Sequence, residues 1–128
     1  MGYTGFILIG IGGAMGCWLR WVLGLLFNPL FPTLPLGTLA ANLVGGFLMG
    51  CVLGIFDHYQ TLPAELRLFM ATGFLGGLTT FSTFSAEATT LLLRQQYLWF
   101  GGHVAVHLIG SIALTIAGIA LTRALLHA

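Results

Sequence analysis

Apolar residues fill four long stretches of this chain, and polar residues collect in the short intervals between them. The stretches cover residues 4–27, 37–56, 64–94 and 98–127. Each is long enough for a helix that crosses the hydrocarbon core of a bilayer, which takes about 20 residues. Asn28-Pro29 and Phe31-Pro32-Thr33-Leu34-Pro35 close the first stretch, because proline cannot continue a helix and restricts the residue before it. Asp57 to Pro63 separates the second from the third, and Arg94-Gln95-Gln96-Tyr97 separates the third from the fourth. The third stretch breaks its own pattern. From Gly73 to Ser85 it holds Gly73, Gly76 and Gly77, a run of hydroxyls, and Phe74, Phe81 and Phe84. Glycine costs a helix interior about 1 kcal/mol relative to alanine. A break inside a bilayer leaves backbone groups unpaired unless protein or a water-filled path covers them. The pattern therefore predicts a third helix broken near its middle, at the glycines, and such a break marks an ion or substrate site.

Composition narrows the class. The 128 residues are 58% hydrophobic and 5% charged, against about 25% charged in a soluble domain. The expected fold is a single all-α membrane domain of four transmembrane helices. With no basic patch, nucleic acid is not an expected partner. Cys17 and Cys51 both fall in apolar stretches and read as small packing residues; a disulfide framework has no support. Met1-Gly2-Tyr3-Thr4 lacks the basic region of a signal peptide, so the first stretch is expected to remain a helix of the protein.

An enzyme is not expected. Gly10-Ile11-Gly12-Gly13-Ala14-Met15-Gly16 misses the dinucleotide fingerprint by one place, and no βαβ pattern surrounds it. No nucleophile elbow, P-loop or carboxylate pair occurs, and three acidic residues leave little for acid–base catalysis. No organic cofactor is implied.

Four helices put both termini on one side of the membrane. The four basic residues, all arginine, then divide two against two: Arg67 and Arg123 on the side of the termini, Arg94 and Arg20 toward the other. Orientation follows an excess of Lys and Arg in short loops, and here there is none. Either a weak bias escapes the count, or the chain inserts both ways and allows an antiparallel, dual-topology homodimer. Gly12 and Gly16, then Gly46, Gly50 and Gly54, then Gly73 and Gly77 carry the small-xxx-small spacing that lets backbones approach closely in lipid. The spacing fits contacts within one chain or between two.

Several polar residues lie where hydrocarbon is expected. Arg20 either snorkels to the interface or puts a positive charge at the mouth of an anion path. Asn42 either bonds another helix or aims its two amide donors into a pathway. His103, His107, Ser111 and Thr115 fall at i, i+4, i+8 and i+12, one slowly drifting polar stripe. His103 and His107 have the spacing of a metal pair, but no Glu, Asp or Cys stands nearby in sequence to complete it. Phe81 and Phe84, interleaved with Thr79, Thr80, Ser82, Thr83 and Ser85, share a face if the segment is helical. Their positive ring edges and the hydroxyl donors could bind an anion strongly enough to admit it and weakly enough to release it. The alternative is ordinary packing. Glu87 is either a boundary acid held by hydroxyls such as Thr83, or a proton carrier or gate. Carbonyls freed near Gly76 and Thr79 would meet their copies in an antiparallel dimer, and four hard oxygens suit a small hard cation.

These residues resemble the Fluc (CrcB-type) family of bacterial fluoride channels. The matching strings are Gly12 to Gly16 with Leu19-Arg20-Trp21, Pro35 to Leu39 with Asn42 and Gly45-Gly46, Gly73 to Ser85 with Glu87, and His107 to Ser111. The resemblance covers nearly the whole chain. It implies an antiparallel homodimer with two fluoride pores in the bacterial cytoplasmic membrane, and a structural sodium ion held by the backbone carbonyls of Gly76 and Thr79. It further implies Phe81 and Phe84 as an aromatic lining, and Asn42, Ser82, Thr83 and Ser111 as polar pathway residues, with Glu87 beside the hydroxyls. Arg20 and Thr38 would serve the vestibule. His107 or a neighbour stands where some relatives carry tyrosine. The implied activity is passive export of fluoride, which lowers its toxic concentration inside the cell. A proton-coupled exporter of organic cations is the other transport reading, with Glu87 as its acid; a packing subunit without transport is the third.

Overall fold

A computed structural model describes residues 2–127, which are helical almost throughout. Helix α1 spans Gly2–Phe27 and ends in a 3₁₀ turn, Asn28–Leu30. Helix α2 spans Leu36–His58. A segmented stretch follows: α3 (Ala64–Arg67), a π-helical run (Leu68–Leu75), α4 (Gly76–Leu78), and α5 (Phe81–Leu93). Helix α6 spans Tyr97–Leu126. Among the described residues, three helices, α1 with its 3₁₀ tail, α2 and α6, are long and apolar enough to cross a membrane. No single helix of the 64–93 stretch reaches that length, because the backbone turns extended at Thr79 (ψ 155°) and Thr80 (ψ 115°).

The break is therefore two residues beyond the glycines. The expectation that Gly73, Gly76 and Gly77 themselves interrupt the helix is corrected: all three keep helical or π-helical backbone. Gly73 and Gly77 are small for another reason. A Cβ at Gly73 would sit 3.0 Å from the Ile9 carbonyl oxygen, and one at Gly77 would run into the Gly13 carbonyl. They let the π-helical run and α4 lie backbone to backbone on α1, where Gly12 and Gly16 answer them against Phe69, Phe74 and Leu78. The triple in α2 does the same against α6: Gly46 faces Ser111, Gly50 faces Thr115, and Gly54 faces Thr122. All these small-residue rows serve contacts within one chain. Backbone approach of this kind is what dispersion packing in lipid rewards.

The break changes the partner of the chain. Before it, the segment packs on α1; after it, α5 packs on α6. Local capping makes the change possible. Thr80 is the N-cap of α5, its Oγ1 accepting from the Thr83 amide at 3.1 Å, which satisfies one of the unpaired amides of a helix start. Asn28 caps α2 from outside, its Oδ1 accepting from the amides of Gly37 (2.7 Å) and Thr38 (3.2 Å). Helix α5 ends with Gln95 in the left-handed region (φ 59°) and the Gln96 amide donating to the Leu91 carbonyl at 2.9 Å, the Schellman closure. A small core of Ala41, Val52, Phe56, Leu75 and Leu78 is buried between α2 and the segmented stretch. The outer faces of α1 and α6 expose Phe6, Trp18, Leu98 and Ile109, as lipid-facing surfaces do.

Candidate functional site

The extended pair Thr79-Thr80 releases two carbonyls from the helical ladder. The Thr80 amide, which would close the turn on Gly76, donates instead to Asn42 Oδ1 at 2.8 Å. The Thr83 amide, which would close on Thr79, donates instead to Thr80 Oγ1. Gly76 lies exposed and Thr79 half-buried at this point. The next carbonyl, Gly77, accepts from Arg20 Nε at 2.9 Å. A cation on a freed carbonyl at the C-terminal end of a helix is favourable for both the hydrogen bond and the dipole. Arg20 thus braces the break from α1 and does not join the residues around Asn42.

Asn42 braces it from α2. Because the Thr80 amide can only donate, the atom it meets must be the Asn42 carbonyl oxygen, and the amide orientation is fixed. The Asn42 Nδ2 group then donates to the Thr80 carbonyl at 3.1 Å and meets His107 Nδ1 at 3.0 Å. Both amide hydrogens are used inside the protein, so Asn42 holds the site together and leaves no donor over. His107 Nδ1 must be the acceptor in that pair, which puts the ring proton on Nε2. His107 Nε2 is buried and has no partner. The free donor is thus on the histidine.

Asn42, Thr79, Phe81, Phe84, His107 and Ser111 line one cavity of about 370 Å³. The Thr79 methyl fits a notch left by Gly45. The Phe81 and Phe84 rings lie 5.5 Å apart and tilted, and Phe84 also packs on His107 (4.8 Å) and stacks on His103 (5.2 Å, 18°). Phe81 is 80% exposed on this chain.

Behind Phe84 lies a second group. Thr38 Oγ1 donates to Glu87 Oε2 at 2.6 Å, and Glu87 Oε1 is 3.4 Å from His103 Nε2. The hydroxyl that holds Glu87 is therefore Thr38 of α2, not Thr83 as expected, and Thr38 is buried and not at a surface mouth. Ser82 meets Thr80 Oγ1 at 3.3 Å and is otherwise exposed, and Thr83 contributes its amide to the cap. Neither lines the cavity. The polar stripe of α6 divides: His103 and His107 join the Glu87 group, Ser111 lines the cavity, and Thr115 donates to the Gly46 and Ser111 carbonyls. Two residues named in the sequence take roles it did not assign. His103 is fully buried in the group, and Thr80 is both cap and partner of Asn42; a threonine just before a helical stretch, a preferred cap, was the available signal.

Comparison with known proteins agrees over most of the chain. Residues 7–119 match the family model described as CrcB-like protein, Camphor Resistance (CrcB). The chain is 60% identical over 119 residues to a protein of Nitrosospira multiformis named fluoride-specific ion channel FluC, covering 93% of each chain. It is 56% identical over 114 residues to the protein of that name from Tolumonas auensis, covering 89% of this chain and 90% of the other. With the one from Cupriavidus metallidurans the identity is 51% over 125 residues, covering 98% and 99%.

Proposed function

The chain belongs to the CrcB-like family, and from that premise we propose that it is a fluoride-selective channel of the bacterial inner membrane, carrying the anion passively out of the cytoplasm. It is a transporter and not an enzyme. The observation that carries the reading is the cavity at the helix break, where Ser111, His107 and the Phe81 and Phe84 rings meet. Fluoride gives up strongly held water only for donors. Hydroxyls such as that of Ser111 supply them without a fixed positive charge that would trap the ion, and positive ring edges add a weaker attraction. HF crosses membranes from acidic surroundings and dissociates inside, so a passive path suffices for export. The organic-cation reading loses its acid, because Glu87 is engaged by Thr38 and faces His103.

The working assembly in this reading is an antiparallel homodimer in which the 64–93 stretch is the fourth, broken transmembrane segment. The even division of arginines and the exposure of Phe81 support it. The ladder-free carbonyls of Gly76 and Thr79 fit a structural sodium ion at the dimer axis, since hard oxygens are what such a cation takes. When bound it would pin the two breaks together; the other ligands would come from the second copy.

The test is fluoride efflux from liposomes holding the purified protein, followed with a fluoride electrode. Rapid efflux that chloride does not share is the expected result. Chloride leaving as fast as fluoride, or no efflux, would overturn the reading.

A further inference from the structure

Among the described residues, four buried side-chain polar atoms lack a hydrogen-bond partner: Glu87 Oε1, both ring nitrogens of His103, and His107 Nε2. All four belong to one cluster. Buried polar atoms are paired in the great majority of cases, so a concentration of unpaired ones calls for an occupant. We propose that Glu87, His103 and His107 form a binding site for a divalent transition metal of the zinc type.

One ligand atom from each residue lies within 4.8 Å of the others. The 3.4 Å between His103 Nε2 and Glu87 Oε1 matches the edge of a tetrahedron whose metal–ligand bonds are about 2.0–2.2 Å. His103 and His107 stand one turn apart on α6, ring centres 4.4 Å apart. Two imidazoles and one carboxylate are a known ligand set for zinc, with a fourth position left to water. Imidazole nitrogens disfavour sodium, magnesium and calcium, which take oxygen. Thr38 orients the carboxylate through its other oxygen, as outer partners of metal ligands do. An entry path exists: a cavity of about 200 Å³ reaches Glu87 past Arg94 and Gln96, at the loop end of α5.

One ligand is held back. Asn42 fixes the His107 proton on Nε2, and a metal needs the lone pair of that atom. Binding therefore moves the ring proton to Nδ1 and gives up the bond to Asn42. An aspartate at 42 would accept from Nδ1–H and still accept from the Thr80 amide, turning the opposing partner into a supporting one at the loss of the donor to the Thr80 carbonyl. Metal in the site would also break the Asn42–His107 bond beside the helix break, leaving the two bonds to Thr80, and slow fluoride; that consequence rests on the channel reading.

The experiment titrates tag-free protein in detergent with Co²⁺ alone, read by its visible d–d absorption, and with Zn²⁺ by calorimetry. The rings of His58 and His127 pair 4.7 Å apart, so a His58→Ala/His127→Ala background removes that competing pair. One tetrahedral cobalt site per chain is expected. Asn42→Asp should bind about 10–100-fold tighter. Glu87→Gln and His103→Gln, each compared as the species that elutes like the parent, should lose the band. No band in the parent, a band that persists in both ligand variants, or no tightening in Asn42→Asp would overturn the proposal. In liposomes, Zn²⁺ should slow fluoride efflux and a chelator should restore it. Absent efflux would count against the channel reading alone, since the cobalt titration involves no fluoride.

Discussion

The two halves of α6 differ as a scaffold differs from a site. In the C-terminal half, Thr115 donates to the Ser111 and Gly46 carbonyls, and Thr122 donates to Gly118 and Ile119. Both lie against glycines of α2, and Gly118 lies against the Phe47 carbonyl of the same helix. Both hydroxyls there are satisfied, and the glycine has a backbone to receive. In the N-terminal half, His103 and His107 are as deeply buried but keep three unpaired nitrogens between them, next to an aromatic cluster and a cavity. Polarity in a membrane helix therefore does not mark a site. Polarity left unsatisfied, on elements whose backbone is held open by other side chains, does.

The comparison can be broken most severely at the seam. A side chain at Gly50 would be driven into the Thr115 carbonyl, and overpacking costs about 1–3 kcal/mol even where the surroundings yield. Gly50→Leu should leave no monodisperse protein on size exclusion. Recovery of a normal folded species would show that the seam is looser than described.

At the break, the largest effect belongs to Asn42. Asn42→Ala leaves the Thr80 amide without its acceptor and Thr80 O and His107 Nδ1 without a donor. Each buried orphan costs about 1–3 kcal/mol. Thermal unfolding in detergent should occur at clearly lower temperature, and fluoride efflux should fall at least about tenfold, the equivalent of about 1.4 kcal/mol. Efflux at the parental rate would detach the brace from transport.

Replacing Phe81 and Phe84 together by isoleucine keeps the apolar bulk and removes the ring edges. Folding should change little, while efflux falls severalfold; unaltered flux would remove the rings from the mechanism. The smallest effect is expected back at the seam. Thr122→Ala deletes a hydroxyl bonded only within its own helix, where even hydrogen bonds between membrane helices average only about 0.6 kcal/mol. Stability should shift by about that amount and efflux not at all. A large loss of efflux would mean that the scaffold half carries function too.

Much of this was legible in the chain. Low charge and long apolar runs require a membrane, because too few polar residues exist to cover a water-facing surface. The glycine-rich third stretch put the break within two residues of its place at Thr79-Thr80, where hydroxyls that compete for backbone amides favour caps over helix interiors. The glycines misled because a sequence shows that a residue is small, not whether a turn or a neighbouring backbone needs it to be. Glu87 and His103, sixteen positions apart, belong to one cluster only because α5 folds back on α6, and Thr38 reaches the same carboxylate from α2. Composition and periodicity fix which segments leave water, since that is a sum over residues. Which amide meets which carbonyl, and so which histidine nitrogen keeps its proton, depends on ångström-scale approach between helices distant in sequence, and that was decided only when the backbones packed.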